Sequence, residues 1–123
     1  MVDTLGMVLA VIIHGASVQD RDGALEVISK LLENWNRIVK IFADNGYRGA
    51  LIEKVKTKFK IGFEVIKRTE LHAFKILPKR WIVERTFAWI DTNRRNSKNY
   101  ERLNNTSVAI VHLSAIRIML NRF

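Results

Sequence analysis

The chain has 123 residues, of which 48% are hydrophobic and 27% charged, a balance typical of one folded domain spanning residues 1–123. It contains no cysteine, which excludes disulfide bonds and thiolate zinc sites and fits a reducing compartment. The net charge of +9 is concentrated in residues 54–123, which carry sixteen Lys and Arg against five Asp and Glu. This basic half predicts a polyanionic partner, nucleic acid or a membrane surface, and the alternative is a solvated face without a partner.

The first half of the sequence predicts two strands and a helix. Residues 5–13 are almost wholly apolar and rich in β-branched side chains, which predicts a strand buried on both faces. Apolar residues recur at helical spacing from Ala24 to Trp35, so we expect an amphipathic helix that begins near residues 20–23. Residues 37–43 predict a second buried strand, which ends in a turn sequence at residues 44–46.

The remaining sequence continues the alternation of helix and strand. A helix is predicted from Ala50 to Phe59, a short strand over residues 61–67, and a further helix after Pro78. A polar, basic segment from Asn93 to Asn105 leads to a last apolar helix over residues 108–120. The order strand, helix, strand, helix, strand predicts an α/β fold with three layers.

Asp44 is the first candidate for a chemical role. It follows a buried strand directly, and open α/β sheets place ligand-binding groups at the carboxyl ends of their strands. A carboxylate in that place is stable when it meets a cation or several hydrogen-bond donors. The alternative is that Asp44 caps its own turn, because Asp-Asn-Gly is a favourable turn sequence.

Glu84 is the second candidate, and it lies in the stretch RWIVERTFAW. On a helix it shares one face with Arg80 and Asp91. An Arg80–Glu84 ion pair is the alternative explanation, but this order of charges is the poorer one and stabilises a helix by only about 0.2–0.5 kcal/mol. A metal ligand explains the acid better, because Mg²⁺ is usually held by one or two protein carboxylates.

The aromatic and histidine side chains predict no further site. Trp81, Phe87 and Trp89 stand at helical packing spacing, which favours core residues over groups that stack on bases. The histidines are far apart in sequence and lack the spacing of metal ligands, so we interpret them as ordinary residues: His14, His72 and His112.

Five segments resemble, in order and spacing, the DDE transposases of bacterial insertion sequences: VDTLGMVLAV, GASVQDRDGA, IFADNGYRGAL, LPKRWIVERTFAWI and RRNSKNYERL. The resemblance implies a ribonuclease H-like catalytic core, with a mixed sheet flanked by helices. It also implies three carboxylates that bind two divalent ions, Mg²⁺ or Mn²⁺, and that cut and rejoin DNA at the ends of the element.

The resemblance assigns roles to particular residues. Asp44 matches the second catalytic aspartate, and Glu84 matches the glutamate, so both are expected to be catalytic metal ligands. Arg80 matches the arginine of the Tyr-Arg-Glu-Lys signature. The tyrosine and lysine positions of that signature hold Leu77 and Asp91. Arg94 and Arg95 follow shortly after and can supply the basic charge from another place on the chain.

The family's first catalytic aspartate lies on a strand that precedes the VDTLG segment, and Asp3 matches the aspartate of VDTLG itself. The resemblance therefore implies the C-terminal part of a catalytic domain whose first strand is missing. We expect such a chain to hold metal weakly and not to cleave DNA alone. Adding the strand with its aspartate is expected to restore an activity that Glu84→Gln then abolishes.

The implied partners are the transposon ends and target DNA, with a homodimer as one arrangement, no membrane, and a cytoplasmic, nucleoid-associated location. We expect salt-dependent DNA binding by the basic side chains Lys54, Lys56, Lys58, Arg80, Arg85, Arg94, Arg95 and Lys98. One alternative function is a non-catalytic nucleic-acid-binding remnant. Another is a truncated product without a function, whose sheet has an open edge.

Overall fold

The computed structural model of the chain describes residues 1–66 and 80–122. These residues form two compact units, a βαβ unit (Gln19–Pro78) and a terminal unit (Met1–Val18 with Lys79–Phe123). The predictions for His72, Leu77 and Pro78, and for the side chain of Arg80, lie outside the described residues. The elements are α1 (Asp20–Asn34), β1 (Lys40–Ala43), a 3₁₀ turn (Asn45–Tyr47), α2 (Ala50–Phe59), β2 (Gly62–Val65), α3 (Arg80–Asp91) and α4 (Asn104–Arg122).

The βαβ unit contains a parallel pair of strands joined by a helix. β1 and β2 pair in parallel with Ile41 opposite Phe63, and α2 forms the crossover between them. Both of these strand side chains are buried, as are Leu51 and Val55 on α2. Because the strands are parallel, their carboxyl ends lie at one edge, where the N–H of Ile66 donates to the carbonyl of Ala43 at 2.9 Å. This confirms the predicted strand–helix–strand order and the α/β class.

α1 confirms the helix predicted before the first of these strands. It begins at Asp20, with two acids in its first turn, where the helix dipole favours negative charge. Its apolar spacing buries Ala24, Ile28 and Leu31. Trp35, which continues the same spacing, lies at the helix C-cap and is exposed.

The terminal unit is built on α3 packed against α4. α3 buries Ile82, Thr86 and Ile90, which recur every four residues on one face. α4 contributes Ala115 and two buried serines, Ser107 and Ser114. Both predicted helices are confirmed, and the last one begins at Asn104, four residues earlier than its apolar pattern indicated.

The strand predicted over residues 5–13 is wrong. In the terminal unit this segment makes only one isolated antiparallel bridge, between Val2 and Val8. Asp3 closes a turn by accepting the N–H groups of Leu5 and Met7, both at 2.8 Å, and the Met1 ammonium donates to the carbonyl of Ala10 at 2.6 Å. An apolar run becomes a strand only when a neighbouring strand hydrogen-bonds along its length, and within the described residues this segment has the single Val2–Val8 bridge.

Candidate metal and nucleic-acid sites

Asp44 lies immediately after β1, at the carboxyl end of the parallel pair, and is exposed. Its Oδ1 accepts the N–H of Gly46 at 3.0 Å, and its carbonyl accepts the N–H of Tyr47 at 3.2 Å. The sequence alternative, that Asp44 caps its own turn, is therefore confirmed. The turn also fixes the direction of the carboxylate, which has a second oxygen available for other ligands.

An open cleft of about 340 Å³ lies beside Asp44, and all of its lining residues belong to the βαβ unit: Gln19, Asp20, Arg21, Asp44, Gly46 and Tyr47. Burial raises the pKa of the Tyr47 hydroxyl, and the negative charges of Asp20 and Asp44 raise it further. Asp20 and Asp44 thus line the same cleft and act on the same hydroxyl. Sequence analysis missed this, because Asp20 has the ordinary features of a residue in the first turn of a helix.

Glu84 lies on an exposed face of α3. Phe87, three residues further along, is 61% exposed, and Trp81 is 47% exposed. The prediction that these two aromatic side chains belong to the core is therefore wrong. The reason is that α3 packs through Ile82, Thr86 and Ile90, so the residues of the Glu84 face point away from this stripe.

Oxygen donors such as Asp44 and Glu84 suit Mg²⁺ or Mn²⁺ chemically. Asp44 belongs to the βαβ unit and Glu84 to the terminal unit. Within the described residues, no group of three His, Cys, Asp or Glu side chains is arranged to hold a metal ion. The pairing of the two carboxylates around one ion accordingly stays a prediction.

Arg85, one of the predicted DNA-binding residues, is engaged within the terminal unit. Its guanidinium carbon lies 4.4 Å from the ring centroid of Trp81 and 4.5 Å from that of Trp89. Its Nη2 donates to the carbonyl of Leu5 at 2.8 Å, and its Nε is buried without a hydrogen-bond partner. The guanidinium of Arg122 lies 3.5 Å from the Trp89 ring. We call these four side chains, Trp81, Arg85, Trp89 and Arg122, the Arg–Trp ladder.

Gly6 lies directly against α3 beside this ladder. It adopts φ +85°, and a Cβ built on it would lie 2.9 Å from Thr86 Oγ1 and 3.3 Å from Trp89 Cζ3. Thr86 is 3% exposed, and its hydroxyl is placed to donate to the carbonyl of Gly6 at 2.7 Å or to that of Ile82 at 2.9 Å. A side chain at position 6 would break this contact.

The segment between α3 and α4 carries much of the positive charge of the terminal unit, and we call its residues 93–103 the basic turn. Arg94, Arg95 and Lys98, all predicted to bind DNA, are exposed there, as is Arg102. Arg95 forms an ion pair with Glu101. Three of the predicted DNA-binding residues are therefore exposed within one short segment.

The three predicted lysines of α2 do not share one surface. Lys54 and Lys58, four residues apart, line an open groove of about 560 Å³ together with Leu25, Glu53 and Thr57. Lys56 is exposed but does not line this groove, because residues two apart on a helix point in different directions. Two of the three lysines, Lys54 and Lys58, therefore line the same groove.

The family comparison covers the βαβ unit and most of the terminal unit. The family model for the transposase DDE domain matches residues 1–119, and the chain therefore belongs to the transposase DDE domain family. No curated protein and no solved structure gives a significant match to the chain. None of the helices in residues 1–66 and 80–122 is both long enough and apolar enough to cross a lipid bilayer.

Proposed function

We propose that this chain acts in metal-dependent DNA cleavage and strand transfer during transposition of an insertion sequence, with Asp44 and Glu84 as ligands of a divalent ion. The observation that carries the proposal is the position of Asp44. It stands at the carboxyl end of a parallel strand, beside an open cleft, in a turn that fixes its carboxylate. The family match over residues 1–119 supports the same assignment.

Asp44 and Glu84 would hold Mg²⁺ or Mn²⁺ through carboxylate oxygens, and a bound ion would supply charge stabilisation at the phosphate that reacts. The side chains contribute fixed position and negative charge. The turn around Gly46 orients the first carboxylate, and the packed face of α3 leaves the second one exposed. The ribonuclease H-like arrangement of the whole domain and a homodimer bound to nucleoid DNA belong to this proposal.

DNA binding is the second part of the proposal. The exposed cations of the basic turn and of the Lys54–Lys58 groove would contact phosphates, which carry affinity but little sequence information. Arg85 contributes less in this account than the sequence indicated, because its guanidinium is stacked within the Arg–Trp ladder and donates to Leu5.

DNA binding is tested by fluorescence anisotropy with a labelled duplex, starting near about 50 mM salt. The affinity should fall by roughly 0.9 log units per log unit of salt for each phosphate neutralised. The double variant Arg94→Gln, Lys98→Gln should reduce the salt dependence of the affinity by the equivalent of about two phosphate contacts. Asn105→Gln, at an exposed uncharged neighbour, should leave the salt dependence unchanged. Absence of binding at low salt, or a slope that the double variant leaves unchanged, would contradict this part of the proposal.

The non-catalytic alternative, a nucleic-acid-binding remnant, is favoured by one observation: the exposed cations of the basic turn belong to the terminal unit, whereas Asp44 belongs to the βαβ unit. DNA binding that persists in Asp44→Asn and Glu84→Gln, together with no metal binding by the unaltered chain, would favour this alternative. The expectation that the chain does not cleave DNA by itself stays a prediction, and Mg²⁺-dependent cutting by the isolated chain would refute it.

A further inference from the structure

We propose that Tyr100 is a stacking site for an unpaired DNA base, so that the basic turn binds DNA that contains unpaired nucleotides. The inference rests on the proposed function, which supplies DNA as the partner, and it narrows the substrate class. Tyr100 lies within the basic turn and is 63% exposed. Three observations support the assignment: the turn is held in place, it exposes an aromatic ring, and it surrounds that ring in sequence with cations.

The basic turn is tied to α4 through buried serines. Asn93 and Asn96 donate from Nδ2 to the Ser114 hydroxyl oxygen at 2.6 and 2.5 Å, and Ser114 in turn donates to the carbonyl of Ile110 at 2.9 Å. Ser114 is 1% exposed, so this oxygen has all of its hydrogen bonds inside the protein. These contacts anchor the first half of the turn.

The second half of the turn is anchored in a similar way. Asn99 Oδ1 accepts from the Ser107 hydroxyl at 3.3 Å and from the N–H of Glu101 at 3.2 Å. Glu101 is in turn ion-paired with Arg95. Tyr100 therefore lies between two residues that make hydrogen bonds or an ion pair within the protein, while Tyr100 itself is exposed.

Within the basic turn, the residues that make internal hydrogen bonds alternate with residues whose charged side chains are exposed. The asparagines at every third position, Asn93, Asn96 and Asn99, make the internal hydrogen bonds. The exposed cations between and after them are Arg94, Arg95, Lys98 and Arg102, of which Arg95 is ion-paired with Glu101. An exposed tyrosine is not unusual by itself, but here it is set among cations on a hydrogen-bonded segment. Proteins that bind single-stranded nucleic acid combine these two features.

The chemistry of the ring selects unpaired bases. In a duplex each base is covered on both faces by its neighbours, so an exposed phenol has no base face to stack on. An unpaired base offers that face, and nearby guanidinium and ammonium groups can contact the adjoining phosphates. Because the turn is already ordered, stacking requires little further loss of conformational freedom.

The test compares the binding of labelled single-stranded oligo-dT with that of a duplex of equal length, using the full chain. Tyr100→Leu keeps apolar bulk but removes the aromatic face, and it should weaken oligo-dT binding between about fivefold and about a hundredfold. Duplex binding should stay unchanged. Tyr100→Phe is the matched control and should bind both probes like the unaltered chain, whereas Lys98→Gln should weaken binding of both probes.

Each other outcome would overturn the inference. Unchanged oligo-dT binding by Tyr100→Leu would show that the ring does not stack on a base. An equal loss of affinity for both probes would show that Tyr100 contacts the sugar-phosphate backbone of DNA and not a base. If the unaltered chain binds neither probe, the proposal that DNA is the partner fails as well.

If Tyr100→Leu does not fold, photocrosslinking of the unaltered chain to oligonucleotides that contain 5-iododeoxyuridine decides the question. A crosslink at Tyr100 is expected, and crosslinks confined to other residues would refute the proposal.

Discussion

The guanidinium carbon of Arg85 lies 4.5 Å from the ring centroid of Trp89, and the guanidinium of Arg122 lies over the same ring at 3.5 Å. One tryptophan on α3 is therefore in contact with two cations, one from its own helix and one from the end of α4. Because Arg85 also donates to the Leu5 carbonyl, the ladder connects α3, α4 and the first residues of the chain. We therefore expect the Arg–Trp ladder to stabilise the terminal unit.

Arg85→Lys is expected to lower the free energy of unfolding by about 1–2 kcal/mol. Lysine keeps the charge but loses the flat guanidinium that stacks on the rings of Trp81 and Trp89 while it donates to Leu5. Urea unfolding followed by tryptophan fluorescence measures the change. Arg94→Lys, at an exposed position of the basic turn, is the matched control and should alter the free energy of unfolding by no more than about 0.5 kcal/mol. Equal unfolding midpoints for the two variants would show that the ladder contributes no stability.

Gly6→Ala is expected to destabilise the chain by about 1 kcal/mol or more. The residue has φ +85°, which L-residues adopt at a cost of about 1–2 kcal/mol, and the added Cβ would lie 2.9 Å from Thr86 Oγ1. Thermal unfolding monitored by circular dichroism measures the loss. In Gly15→Ala the added Cβ would meet only Ser17 Oγ at 3.9 Å, so this control should keep the melting temperature of the unaltered chain. A Gly6→Ala variant as stable as that control would contradict the close packing of Gly6 on α3.

Tyr47 is expected to titrate above its ordinary pKa of 10.0, because burial and then the charges of Asp20 and Asp44 disfavour the phenolate. In the unfolded chain the hydroxyl ionises at its ordinary value, so above about pH 10 the unfolded state holds fewer protons than the folded state. The free energy of unfolding should therefore fall as pH rises through this range, and the loss is complete once pH exceeds the folded pKa.

The titration is read from tyrosinate absorbance in Tyr100→Phe, which leaves Tyr47 as the one tyrosine in the sequence. Asp44→Asn in that background removes one of the charges and should move the pKa of Tyr47 down toward 10.0. Asp91→Asn, on α3 in the other unit, should leave it in place. An unchanged pKa in Asp44→Asn would show that Asp44 does not act on the cleft.

Most of the βαβ unit could be predicted from the sequence, because burial there follows local periodicity. Ala24, Ile28, Leu31, Ile41, Leu51 and Val55 are buried as the apolar pattern predicts, but Trp35, Val39 and Phe42 are exposed, so the strand predicted over residues 37–43 is buried less fully than expected. The strand over residues 5–13 could not be predicted in this way, because a strand needs a hydrogen-bonded neighbouring strand, and no local pattern encodes that partner. The prediction that Phe87 belongs to the core was wrong for a related reason. Helical spacing shows which residues share a face, but it does not show which face packs against the rest of the protein.

A residue of the candidate site could be predicted only where its own neighbours in the sequence indicated its role. Asp44 could be found because it follows a buried strand and begins a turn sequence. The approach of Asp20 to Tyr47, and the hydrogen bonds from Asn93 and Asn96 to Ser114, join residues that are well separated in the chain. Such contacts arise from tertiary packing, so neither composition nor periodicity predicts them.

The central claim, that Asp44 and Glu84 bind the same divalent ion, is tested most directly by Mn²⁺ titration of the full chain, with free Mn²⁺ measured by electron paramagnetic resonance. Asp44→Asn and Glu84→Gln remove charge with little change of shape, and asparagine keeps the turn, because its side-chain oxygen also accepts hydrogen bonds. Each variant should weaken Mn²⁺ binding by about tenfold or more, and the double variant should lose little beyond either single one, as expected for one shared site. Asp91→Asn, on the Glu84 face of α3, should bind Mn²⁺ like the unaltered chain. Mn²⁺ binding by Glu84→Gln that equals that of the unaltered chain would contradict the claim.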